Sequence, residues 1–205
     1  MRILASAVLC AAVLSITVSA DAGEKKSGKK KDAKPAAKTV DIGKQAPAFK
    51  IKDSNGRFID LAKLTAKGPV LVRLTCGCKG CDKELAYFQA LHEAYKGKGL
   101  TSLAIFREPD EKVEEYVKSK KLNMLYAVDT KGASWKTFQT KRMPTNFLIE
   151  KGGRIKAIAA GCEPSGLVAE ALSKKVADLL KTETADVRKT VQKKSDKTTK
   201  TDKKK

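Results

Sequence analysis

The sequence predicts an α/β fold in which a mixed sheet lies between helical layers, with a small β-hairpin leading in. Three observations carry this expectation. Apolar runs of strand length alternate with segments of helical periodicity through the middle of the chain, which implies a parallel portion of sheet. Two late apolar runs are joined by Lys151-Gly152-Gly153, a hairpin turn that adds an antiparallel edge. The chain has 205 residues, and once both ends are set aside on composition it makes one domain, large enough to bury a core without disulfide staples.

The elements follow in order. Ala48-Phe49-Lys50-Ile51-Lys52 alternates apolar and polar, Asp53-Ser54-Asn55-Gly56 turns, and Phe58-Ile59 returns, giving the leading hairpin. Val70 to Leu74 is almost continuously apolar, as a central strand buried on both faces requires, with Arg73 the exception. Lys79 to Tyr95 places Leu85, Phe88, Leu91 and Tyr95 on one side of a helix that Gly97 and Gly99 end. Leu100 to Phe106 is a strand. Glu108 to Lys120 is a helix with Val113, Tyr116 and Val117 inward. A short strand, Leu125 to Val128, and a short helix, Lys131 to Phe138, come next. Thr145 to Ile149 and Ile155 to Ala159 form the late hairpin. Ser165 to Leu180 closes the domain as a helix with Val168, Leu172, Val176 and Leu179 inward.

The ends differ in kind. Residues 1–22 read as a secretory signal: Arg2 supplies the positive start, Ile3 to Val18 is apolar but short, and Val18-Ser19-Ala20 and Ala20-Asp21-Ala22 offer small residues for cleavage. An uncleaved N-terminal anchor is the alternative. The protein is therefore expected outside the cytoplasm, in a periplasmic or other extracytoplasmic space, and Cys10 is set aside with the signal. Half of the net charge of +20 sits in two lysine-rich stretches. Asp21 to Val40 holds seven Lys against three acids, and Lys181 to Lys205 ten Lys/Arg against four. Too few apolar residues accompany them to offset the entropy of ordering, so 23–39 reads as a disordered linker and 181–205 as a disordered tail around a domain at 40–180. Such basic stretches suit anionic lipid or cell-wall polymer. Export and the lack of aromatic residues among the lysines argue against a nucleic-acid partner.

Chemistry concentrates at Thr75-Cys76-Gly77-Cys78-Lys79-Gly80-Cys81, where the central strand hands over to a helix. Three cysteines within six residues brace almost no loop, so they read as reactive thiols or metal ligands rather than as a structural framework. Cys78 falls at the helix N-terminus, where unpaired N–H groups and the positive dipole end stabilise a thiolate. It is the expected nucleophile. Cys81, one turn deeper, is the expected resolving cysteine. Glu84 shares a helical face with Phe88, Leu91 and Tyr95. Either it is desolvated there, with a raised pKa suited to proton exchange with Cys81, or it reaches water from the edge of that face. His92 lies near the same face and reads as a packed boundary residue rather than a ligand, and Trp135 as core or groove wall.

Several stretches together resemble the thioredoxin superfamily, in its TlpA-like and AhpC/TSA-like (redoxin) branch. These are Cys78-x-x-Cys81 at the strand–helix junction, Glu84 three residues on, Met143-Pro144-Thr145-Asn146-Phe147-Leu148-Ile149, and the lead-in Gly43-Lys44-Gln45-Ala46-Pro47-Ala48-Phe49. The resemblance spans roughly residues 40–180. It implies a thioredoxin-like three-layer fold with an N-terminal hairpin extension and thiol–disulfide oxidoreductase activity. The direction it favours is reduction of protein disulfides, fed by a membrane electron donor and without a cofactor. It also implies a cis Pro144 facing Cys78, with Met143, Pro144 and Thr145 receiving a substrate strand, Thr145 through backbone groups. Cys162 would lie in the neighbouring loop, either exchanging with Cys78 or Cys76 or passive. The chain departs from the family in three places: Gly77 stands where the family carries tryptophan, and Cys76 and Arg73 have no counterpart. Cys76 could perturb Cys78, form another disulfide or bind metal.

Two other functions stay open. Thr75-x-x-Cys78 fits half of the peroxiredoxin motif, with Arg73 as the candidate peroxidatic arginine, although Leu71 stands where that motif expects proline. A thiolate module for copper or zinc would use Cys76, Cys78, Cys81 and Cys162.

Overall fold

The computed structural model describes residues 39–202. The expected signal, Cys10 and nearly all of the 23–39 linker lie outside the described residues. A two-stranded antiparallel hairpin, β1 (Lys50–Lys52) and β2 (Phe58–Asp60), opens the fold. The central sheet holds β3 (Val70–Thr75), β4 (Thr101–Phe106), β5 (Leu125–Val128), β6 (Thr145–Ile149) and β7 (Ile155–Ala160), in the order β5-β4-β3-β6-β7. The β3–β4 and β4–β5 pairs are parallel, and the β3–β6 and β6–β7 pairs are antiparallel, so the sheet is mixed as expected.

Alternation along each strand sorts side chains between two layers. Val70, Val72 and Leu74 of β3 join Leu103 and Ile105 of β4 on one face, under Trp135, Phe138 and the hairpin. Leu71, Ala104 and Phe106 point to the other face, where the long helices lie: α2 (Lys79–Tyr95), α3 (Asp110–Lys120) and α5 (Leu167–Leu180). Arg73 shares this second face by the same period of two, so its charge is directed beneath α2. The small helix α4 (Ala133–Thr137) carries Trp135 into the first layer. The lead-in segment docks at the start of β7, with Gly43 N–H donating to Ile155 O at 2.8 Å and Ile155 N–H to Lys44 O at 2.8 Å.

Two elements depart from the sequence reading. Helix α1 (Leu61–Lys67) follows the hairpin at once, capped by the Asp60 carboxylate accepting from Ala62 N–H at 3.0 Å. Seven residues with two buried positions are too few to display a helical period. More substantially, the stretch expected as a disordered tail contains α6 (Val187–Asp202). Val187 is 1% exposed in the α2–α5 core, with Ala185 and Val191 beside it. Composition missed this because one narrow apolar edge anchors an otherwise charged helix. The Tyr95 hydroxyl reinforces the junction by accepting from Ala185 N–H at 2.8 Å.

Candidate active site

Helix α2 starts within the cysteine motif. Cys78 is its N-cap residue, with extended backbone and no side-chain capping bond, so its sulfur stays available while its carbonyl accepts from Asp82 N–H at 3.0 Å. Cys78 is exposed, Cys76 half-buried and Cys81 buried. The Cys76 thiol donates to Cys78 Sγ at 2.7 Å, and Cys76 Sγ lies 3.2 Å from Cys81 Sγ. All three sulfurs fall within 4.8 Å of one another. The hydrogen bond from Cys76 is the largest influence holding the Cys78 thiol below its ordinary pKa, and the backbone N–H of Cys81 adds to it. Cys76 is pushed the opposite way, first by burial and then by that same bond. One proton is thus kept on Cys76 while Cys78 is favoured as thiolate.

The turn holding these sulfurs is tied down from α3 and its approach. Glu108 Oε1 accepts from Gly77 N–H at 2.9 Å. The Tyr116 hydroxyl donates to Asp82 Oδ1 at 3.0 Å and Lys120 Nζ to Asp82 Oδ2 at 2.9 Å, which clamps the first turn of α2 to α3. Burial, then the Asp82 contact, pushes the Tyr116 phenol up and keeps it a donor. A Cβ at Gly77 would lie 3.4 Å from Tyr116 Cδ2, so the tyrosine ring faces this glycine. Sequence reasoning placed Tyr116 on the inward face of its helix but assigned neither it nor Glu108 to the site. The signal available was their place after β4, whose carboxyl end adjoins that of β3 in a parallel pair, the usual location of α/β sites.

Glu84 is where the sequence put it, on the inner face of α2 and only 1% exposed, so the edge-of-face alternative falls away. It is not a lone acid among apolar groups, however. Its Oε2 lies 2.9 Å from Arg73 Nη2 in a buried ion pair, and its Oε1 accepts from Glu163 N–H at 2.7 Å. The Arg73 guanidinium also donates to Asn146 Oδ1 at 2.9 Å and stacks 4.1 Å over the Phe88 ring. Asn146 is the β6 residue opposite Arg73 in register. Glu84 is therefore part of a charge-paired strut joining β3, β6, α2 and the loop after β7. The same engagement removes Arg73 as a peroxidatic arginine, since its donors serve Glu84, Asn146 and the Cys81 carbonyl.

The Met143–Pro144 peptide bond is cis, as the resemblance implied. Pro144 O accepts from Gly161 N–H at 2.8 Å, and the next residue, Cys162, donates its thiol to Gly80 O at 2.9 Å. The proline turn and the first turn of α2 are thus bridged by two adjacent residues. Burial, then the Glu84 charge, pushes the Cys162 thiol up. Thr145 departs from expectation. It is buried, it pairs with Leu74 on one side and Ala160 on the other, and its hydroxyl donates to Arg142 O at 2.9 Å. Its backbone belongs to the sheet, whereas half-buried Met143 lies outside both ladders. His92 is packed, as read, with Nδ1 buried and unpartnered among the described residues, and Trp135 is core.

The AhpC/TSA family profile matches residues 42–158. The chain belongs to the AhpC/TSA family. Among similar family proteins is the thiol-disulfide oxidoreductase ResA of Bacillus thuringiensis subsp. konkukian (strain 97-27). It is 37% identical over 117 residues, which cover 57% of this chain and 68% of that one. The ResA of Bacillus subtilis (strain 168) is 27% identical over 131 residues, covering 63% and 73%. Of solved structures, a protein described as the thiol:disulfide interchange protein DsbE of Chlorobium tepidum superposes with a TM-score of 0.63 at 24% identity, over 69% of this chain and 99% of that one. The peroxidoxin BcpB of Mycobacterium tuberculosis gives 0.56 at 20% identity, over 68% and 96%. At these identities the structural likeness is one of fold, and the fold is thioredoxin-like.

Proposed function

We propose that this protein is an exported thiol–disulfide oxidoreductase that reduces disulfides in other exported proteins and is itself recharged by a membrane electron donor. The oxidoreductase activity is the part best supported, by the site and by the family members named for it. One observation carries it: an exposed thiol held toward its thiolate form at the start of α2, with a buried thiol one turn deeper. The Cys78 thiolate attacks a substrate disulfide, and Cys81 then displaces the substrate from the mixed disulfide. Met143, beside the cis proline, is the proposed contact for the substrate strand, and Cys162 borders it. A peroxidase would need the Thr75 hydroxyl and an arginine aimed at the Cys78 sulfur. Thr75 Oγ1 instead donates to Cys76 O at 3.4 Å, and Arg73 is committed below α2.

Export rests on the character of residues 1–22, and attachment to anionic lipid or cell-wall polymer on the basic stretches. The test is reduction of insulin disulfides by the mature protein with a dithiol donor. Wild type is active and Cys78→Ser is inactive; equal rates in the two would refute the reading. A redox titration then fixes direction, a strongly reducing potential being expected. A second reading, a soft-metal site, draws on the three clustered sulfurs. Stoichiometric copper or zinc that survives dialysis and is lost in Cys76→Ala would favour it.

A further inference from the structure

We infer that Cys76 is a third redox-active thiol, able to form disulfides with both Cys78 and Cys81, so that the oxidised enzyme retains a free active-site thiol that moves among the three positions. The inference rests on the oxidoreductase reading and extends it. Cys76 Sγ sits between the other two sulfurs, 2.7 Å from Cys78 and 3.2 Å from Cys81. A disulfide is about 2.05 Å long, so either bridge needs the sulfurs to close by only roughly 0.7 or 1.2 Å. Cys76 lies in the turn between β3 and α2 rather than within either element, so closing so short a gap breaks neither a strand ladder nor a helix turn. The Gly77 N–H bond to Glu108 holds the turn over the helix start.

The steps balance as follows. The Cys78 thiolate attacks one sulfur of a substrate disulfide, forming a mixed disulfide and releasing the first substrate thiolate, which takes a proton from water. As a second route beside direct attack by Cys81, the Cys76 sulfur then attacks Cys78 Sγ. The Cys76–Cys78 bond forms, the mixed disulfide breaks, and the second substrate sulfur leaves as a thiol with the proton given up by Cys76. Cys81 loses its proton to solvent and attacks Cys76 Sγ, forming Cys76–Cys81 and releasing the Cys78 thiolate. Two electrons have passed from two enzyme thiols to the substrate, and the protein holds one disulfide and one thiol. A dithiol donor reverses this by becoming a disulfide itself. In a two-cysteine site the oxidised form has no nucleophile left. Here the exposed Cys78 regains its thiolate while the bridge lies deeper, so an oxidised molecule can still attack a second substrate disulfide.

The test uses the mature protein poised in oxidised and reduced dithiothreitol, quenched with N-ethylmaleimide and digested with trypsin. Cleavage after Arg73, Lys79 and Lys83 places Cys76 and Cys78 together on Leu74–Lys79 and Cys81 on Gly80–Lys83. A Cys76–Cys78 bridge stays within one peptide. Bridges to Cys81 join two peptides, and fragmentation shows whether the maleimide sits on Cys76 or Cys78. The expected result is a population of oxidised chains with maleimide on Cys78, together with a reversible intrapeptide bridge and residual insulin reduction in Cys81→Ser, above the level of Cys78→Ser. Oxidised chains carrying maleimide on Cys76 alone, with no bridge to Cys76 at any poise, would overturn the inference, and the wild-type measurement needs no variant to fold. If Cys76 bridges form reversibly but wild type leaves insulin disulfides intact, the three-thiol exchange stands and the reductase reading fails.

Discussion

Replacing Arg73 with methionine tests the buried strut beneath the active helix. Arg73 and Glu84 are 3% and 1% exposed, so neither charge can be rescued by water where it stands. Methionine fills much of the arginine stem's volume but leaves the Glu84 carboxylate uncompensated. Breaking a buried pair in this way costs about 3–5 kcal/mol. For a domain of this size that lowers Tm by roughly 6–20 °C, at about 2–4 °C per kcal/mol. The stack of Arg73 on Phe88 and its bond to Asn146 are lost as well, which pushes the result to the upper part of that range. Urea unfolding should show a reduced midpoint with an unchanged slope. The double variant Arg73→Met/Glu84→Gln removes the stranded charge yet keeps an oxygen for Glu163 N–H. It should recover all but about 1–3 kcal/mol, the cost of one unpaired amide. A loss below about 1 kcal/mol in the single variant, or a double variant no better than the single, would show that the charges are not buried as a coupled pair.

Three further outcomes are expected. The Cys78 thiol should alkylate with a midpoint below the ordinary cysteine value of about 8.5, and Cys76→Ala, which removes the donor at 2.7 Å, should shift the profile toward higher pH; an unmoved profile would deny that bond its role. Burial, with Lys96 nearby, lowers the His92 pKa, although Glu93 pulls the other way. Its neutral form is therefore the one that fits: its contribution is full above the unfolded value of about 6.5 and is lost as pH falls toward the folded one, so His92→Leu should flatten the decline in urea midpoint between about pH 7 and pH 5. Val187→Ala, deleting two methyl groups from a site 1% exposed, should cost about 2 kcal/mol by denaturant unfolding, whereas an unchanged midpoint would return α6 to the status of a passive tail.

The sequence alone determined the strand–helix alternation, the late hairpin and the placement of Cys78 at a helix start. Each of these is written in local periodicity or in a turn residue, and each is nearly independent of what packs against it. Lys79–Tyr95 was legible to its ends for that reason, as were the strand at Val70 and the inward set on α5. The tertiary structure decided what the charges and the spare thiol do. Arg73 and Glu84 are read from different elements eleven positions apart, and only the packing of α2 on the face of β3 turns an odd arginine and an isolated acid into one pair. Asn146 joins them because β6 places it in register opposite Arg73, a long-range pairing that no window of sequence contains. The tail was misread because composition averages over a helix, while stability depends on the one residue, Val187, that reaches the core. Cys76 was left open for the same physical reason. A sulfur's partner is settled by distances of about a bond length, and those are fixed by the fold around the turn rather than by spacing along the chain.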